Sequence, residues 1–139
     1  MTVLRWESAM QLGVPAIDAD HKRLVGLLNQ LHYAVIAGED EEGIGRLLED
    51  LVGYTQTHFA REEDLMERGG YPELQHHRQI HERLADRMQA FRDSFLQSPD
   101  DFDMHRFYDF VSGWLLHHVL GEDMKLKPYV ERAINVACA

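Results

Sequence analysis

Cysteine is almost missing from this 139-residue sequence: Cys138 is the only one. It has no second thiol to pair with internally, which excludes a disulfide scaffold and points to a free thiol in a reducing compartment. Proline, at 4 residues, and glycine, at 10, are too scarce for a collagenous or linker-like chain. No uninterrupted apolar run approaches the roughly 20 residues needed to cross a bilayer. The opening stretch has no basic region followed by an apolar core, so it does not read as a secretory signal, and a cytoplasmic location is expected. Positive charge is also in deficit. Lys and Arg total 14 against 24 Asp and Glu, a formal net charge of −10. With no basic stripe, such a chain repels phosphate backbones and anionic membranes, so nucleic acid is not an expected partner.

Several chemical signatures are absent too. There is no glycine-rich phosphate loop, no paired-cysteine metal motif, no haem-attachment pair and no HExxH. A ferritin-like di-iron site calls for two ExxH motifs and two further glutamates. Only one such motif is present, Glu73 to His76.

What remains is helical patterning around a hydrophobic content of 45%. Residues 1–19, with Trp6, Gly13 and Pro15, lack sustained periodicity and read as an arm. Leu24, Leu27, Leu28, Leu31 and Val35 predict a first helix over Asp20 to Ala37, with Asp18 as a capping acceptor and Gly38 as its stop. Leu47, Leu48, Leu51, Val52, Thr55, Phe59, Leu65 and Met66 predict a second over Glu41 to Glu67, broken by Gly69-Gly70-Tyr71-Pro72. Leu74, Ile80, Leu84, Met88, Phe91 and Phe95 predict a third from about Pro72 to Phe95. Phe107, Phe110, Val111, Trp114 and Leu115 predict a fourth over Met104 to Leu120, capped by Asp103. A shorter tail helix is expected over Lys125 to Val136. The reading is a single all-α domain, an antiparallel four-helix bundle. Residues 1–19 form its arm, 20–120 its core and 121–139 its tail.

Nine histidines are present, and five have regular relationships to acidic or imidazole neighbours. His58 and Glu62 are one helical turn apart, as are His77 and His81, so each pair shares a face. Two neutral imidazoles on one face can grip a transition metal. His118 and Asp123 are five residues apart, about 140° around a regular helix, with Gly121 between them. His21 sits on the inner stripe with Leu24 and Leu28. Each of the four helices thus brings a candidate ligand to one level of the bundle. His32, His76, His105 and His117 read as surface residues. Asp18, Asp20, Glu63 and Tyr54 lie near the ligands in sequence, in directions the pattern leaves open. Zinc and iron both suit this donor set.

The segments Ile17-Asp18-Ala19-Asp20-His21, His58-Phe59-Ala60-Arg61-Glu62-Glu63, His77-Arg78-Gln79-Ile80-His81 and Trp114 through Asp123 resemble the hemerythrins, and most closely the bacterial single-domain type. The resemblance runs from Trp6 to the tail. It implies a ligand set of His21, His58, Glu62, His77, His81, His118 and Asp123. It also implies two iron ions per chain, bridged by one oxygen atom and by Glu62 and Asp123. His77, His81 and His118 would then fill one iron, while His21 and His58 bind the other and leave one coordination position open. The implied activity is reversible dioxygen binding in a monomer, for storage or for delivery to an oxygen-consuming enzyme, with no catalytic residues. Peroxide or nitric oxide chemistry at the same centre, or sensing through a partner, are the competing functions. Leu24, Val25, Leu28, Phe59, Trp114 and Val119 are the candidate apolar surroundings, and Trp6 is expected to pack the arm over the bundle.

Overall fold

A computed structural model describes residues 4–6, 10–118, 121 and 123–138, apart from the side chains of residues 123 and 135–138. Five α-helices follow one another: α1 Pro15–Ile36, α2 Glu41–Gly69, α3 Leu74–Gln97, α4 Met104–His117 and α5 Asp123–Cys138. A single 3₁₀ turn at Pro99–Asp101 separates α3 from α4. Among the described residues no helix is long and apolar enough to cross a membrane.

α1 begins five residues before the expected Asp20. Pro15 occupies its first turn, where the missing N–H would have had no helical partner in any case. Ile17 is fully buried and extends the inward stripe of Leu24, Leu28 and Leu31. Asp18 is therefore inside the helix and does not cap it. Its carboxylate reaches back to accept from the N–H groups of Leu12, at 2.7 Å, and Gly13, at 3.1 Å, and so fixes the angle at which the arm enters. Gly38, with φ of 74°, ends α1 as its position suggests.

The other boundaries follow local chemistry. Asp40 and Asp103 cap α2 and α4 by accepting from Gly43 N–H and Arg106 N–H. α2 runs two residues past Glu67 and closes on left-handed Gly70, while Tyr71 N–H returns to Met66 O. Pro72 lies ahead of α3, not within its first turn as expected. α4 stops at His117, and the helical path widens to a π-type turn at His118 and Gly121.

Short connections turn the chain back after α1, α2 and α3, so α1 to α4 run antiparallel in succession. α1 packs on α2 and on α4, and α2 packs on α3 and on α5. α5 is longer than the expected tail helix and is built into the body. Its Leu126, Val130 and Ala133 are fully buried with Leu12, Val14, Ile17, Leu65 and Met66. A larger cluster fills the rest of the bundle, with Leu24, Leu28, Leu31, Leu48, Leu51, Met88, Phe107 and Leu115 among its members. Along α1, α2 and α3 the two clusters are separated by polar residues. On α1 the order is Ile17, His21, Leu24. On α2 it is Phe59, Glu62, Leu65, and on α3 it is Leu74, His77, Met88. A layer of histidine and glutamate therefore lies between two apolar cores.

Candidate metal centre

The layer contains six of the seven expected ligands. His21, His58, Glu62, His77, His81 and His118 are all buried, the most exposed being His118 at 3%. The two i,i+4 pairs face inward as their spacing requires. At the end of α4, His118 is buried while His117 is exposed. Asp123 is the first residue of α5, and its side chain lies outside the described residues, as does Val119 altogether.

Glu62 is the centre of the arrangement. Its Oε1 is 2.8 Å from Nε2 of His77 and 3.2 Å from Nε2 of both His81 and His118. Its Oε2 is 3.2 Å from Nε2 of His58 and 4.0 Å from Nε2 of His21. The carboxylate thus divides the imidazoles into a group of three and a group of two. Each group, together with Glu62, has donor atoms close enough to hold a metal ion.

The residues fit such ions on chemical grounds. Within the group of two, the Nε2 atoms of His21 and His58 are 3.2 Å apart; in the other group, those of His81 and His118 are 3.1 Å apart. Facing ring nitrogens at these distances share either one proton or one cation. Imidazole and carboxylate donors together suit divalent transition metals. Burial opposes ionisation of Glu62, but the positive charge and hydrogen bonds of His118 and His58 outweigh it. They hold its carboxyl well below the usual range.

Two outer carboxylates face two of the imidazoles from behind. Asp20 Oδ2 is 3.1 Å from Nδ1 of His58, and Glu63 Oε2 is 3.2 Å from Nδ1 of His81. Arg61 Nε donates to Asp20 and Tyr54 donates its hydroxyl proton to the same carboxylate. Burial raises the Asp20 pKa, yet the hydrogen bonds from His58 and Tyr54 and the nearby charges leave it below its ordinary value. The same carboxylate, after burial itself, pushes the Tyr54 hydroxyl up. Adjacency to a ligand was the only sequence signal for Asp20 and Glu63, and it carries no direction.

Apolar rings close around the imidazoles. Phe59 stacks on His81 with ring centroids 3.9 Å apart, and Trp114 meets His118 edge-on at 5.8 Å. Trp6 brings the arm to 6.4 Å from His21, as expected of it. His32 departs from the surface reading: it is buried, with its ring 5.1 Å from that of Tyr108. It follows His21 by about three turns on the same face of α1, and that register was the available signal. His76 and His105 are exposed.

Residues 12–130 match the model of the hemerythrin HHE cation-binding domain. The chain is 33% identical to a bacteriohemerythrin of Stenotrophomonas maltophilia over 135 residues, covering 97% of this chain and 86% of that protein. It is 37% identical to one from Pseudomonas aeruginosa over 123 residues, covering 88% and 78%. A crystal structure of a hemerythrin point mutant superposes with a TM-score of 0.84 at 25% identity, covering 94% of this chain and 98% of that one.

Proposed function

The chain belongs to the hemerythrin family, and we propose that it binds dioxygen reversibly at a non-haem di-iron centre, for storage or for delivery to an oxygen-consuming enzyme in the cytoplasm. The observation that carries this reading is the division made by Glu62, one oxygen facing three imidazoles and the other facing two. Unequal donor sets leave one metal more open than the other, and an open position is where a small ligand enters.

His77, His81 and His118 would hold the more filled iron, His21 and His58 the more open one, and Glu62 would bridge them. Asp123 is the seventh ligand in this proposal. The π-type turn at His118 and Gly121 supports that assignment. A wider turn takes up an extra residue, so positions five apart come nearer one face than the 140° or so of a regular helix would allow. Together the two irons would supply the two electrons that reversible capture of dioxygen requires. The protein's own part is to hold the donors rigidly and to keep water out. Leu24, Leu28, Phe59 and Trp114 belong to the buried cluster beside the layer, which suits a dry pocket.

Metal analysis of anaerobically reconstituted protein should give two irons per chain. Oxygen titration should saturate at one dioxygen, with optical changes that reverse when oxygen is removed. Continuous turnover with consumption of an electron donor would instead establish an enzyme. Reproducible binding of a single metal by folded, reconstituted protein would reject the dinuclear reading.

A further inference from the structure

We propose that Asp20 is the positioning residue for the two-histidine half of the centre, acting by fixing the tautomer of His58. This rests on the dinuclear reading above and deepens it. Asp20 immediately precedes His21 on α1, but its side chain crosses to α2. Its Oδ2 lies 2.8 Å from Arg61 Nε and 3.1 Å from His58 Nδ1, and its Oδ1 accepts from Tyr54 at 2.9 Å. Arg61 and Tyr54 both present protons to this carboxylate. With only acceptor oxygens to offer, Asp20 requires His58 to present a proton as well.

That requirement decides the chemistry at the other ring nitrogen. A neutral imidazole protonated at Nδ1 has its lone pair at Nε2. Nε2 of His58 is the atom that faces Glu62 Oε2 and His21 Nε2. With its Nδ1 proton held by Asp20, His58 has only Nε2 left to offer a lone pair when a metal enters the centre. The carboxylate side chain is only 3% exposed, while its partner Arg61 is 44% exposed and covers it from solvent. Adjacent residues of α1 thus serve the same metal twice, His21 by donating directly and Asp20 by orienting His58. Glu63 stands in the same relation to His81 on the three-histidine side, where Arg78 Nε is 3.3 Å from its other oxygen. The two halves consequently carry separate orienting carboxylates and are separable by mutation.

Nitrogen-detected imidazole NMR of the metal-free protein reads the tautomer without iron or oxygen. Wild-type His58 is expected to be protonated at Nδ1. In Asp20→Ala it should shift to a mixed or Nε2-protonated state, with His81 unchanged; Glu63→Ala should do the reverse. Zinc titration against a competing chelator, with ring signals identifying which half fills, should show the two-histidine site of Asp20→Ala weakened by about 10–100-fold. The three-histidine site should keep its affinity. If Asp20→Ala fails to fold, the nearly isosteric Asp20→Asn takes its place, with a smaller shift in the same direction. A wild-type His58 protonated at Nε2 but not at Nδ1, or zinc affinities within about twofold of wild type in the folded variant, a change too small to register beside the usual loss, overturns the proposal. Failure of the wild type to bind dioxygen reversibly would sink the functional reading alone, because none of these measurements uses oxygen.

Discussion

His117 and His118 are neighbours in the chain, and only one can face the centre, because successive residues of a helix point about 100° apart. The buried residue is His118, within 3.2 Å of Glu62. Replacing it with alanine removes a donor from the three-histidine group. When both variants are purified with limiting iron, His118→Ala should retain little metal and His117→Ala nearly all. The His117 variant should also stay within about 0.5 kcal/mol of wild type, the usual range for a surface change. The opposite ordering would move the ligand register to His117. The adjacent pair Glu62 and Glu63 separates in a different way. Glu62→Ala should abolish binding of both metals, because Glu62 is common to both groups. Glu63→Ala should weaken one metal only, which metal-to-protein ratios under limiting zinc would report.

At the scale of elements, the placement of α5 depends on a close approach to α2. A Cβ at Gly69 would overlap the backbone carbonyl of Tyr129. Backbone cannot yield as a side-chain tip can, so Gly69→Ala should push α5 away and cost about 1–3 kcal/mol, the range for overpacking. Gly53, also in α2, has open space where a Cβ would sit. There alanine relieves the flexibility of glycine, and Gly53→Ala should stabilise by about 0.5–1 kcal/mol. Urea denaturation of the two variants should therefore give midpoints displaced in opposite directions. A further tie holds the arm: Leu4 N–H donates to the Tyr108 hydroxyl, which donates to Asn29 Oδ1, while Asn29 Nδ2 donates to Leu4 O.

At the scale of the whole molecule, the described residues form two apolar clusters joined through a polar layer. The layer has little apolar surface of its own to bury, so metal held there would add to its cohesion. Ligands that bind only the folded state stabilise it by mass action, by about 4 kcal/mol at a thousandfold excess over Kd. Chelation should lower the melting temperature. Hydrogen exchange should also show where: amides around His21, His58, His77 and α5 should lose protection first, because the smaller cluster is held on through the layer. Amides of α1 and α2 around Leu31 and Leu48, in the larger cluster, should keep theirs. Uniform loss across both clusters would show that the layer is not the weak plane.

Much of this was written locally in the chain. The stripes of α1 to α4, the cap at Asp103, the stops at Gly38 and Gly70, and the inward pairs His58/Glu62 and His77/His81 depend on helical period and on termini. Those are properties of a few consecutive residues. Asp18 misled because a carboxylate near a helix start can cap it or reach past it, and only the path of the arm selects between them. The tertiary structure alone decided which oxygen of Glu62 faces which histidines, that Asp20 crosses to His58 on α2, that His32 is buried and that α5 closes the end of the bundle. Each of these depends on how far one helix is rotated and shifted against another. That offset comes from side chains interlocking across the whole interface and from close approaches such as Gly69 on Tyr129, and no single stretch of sequence carries it.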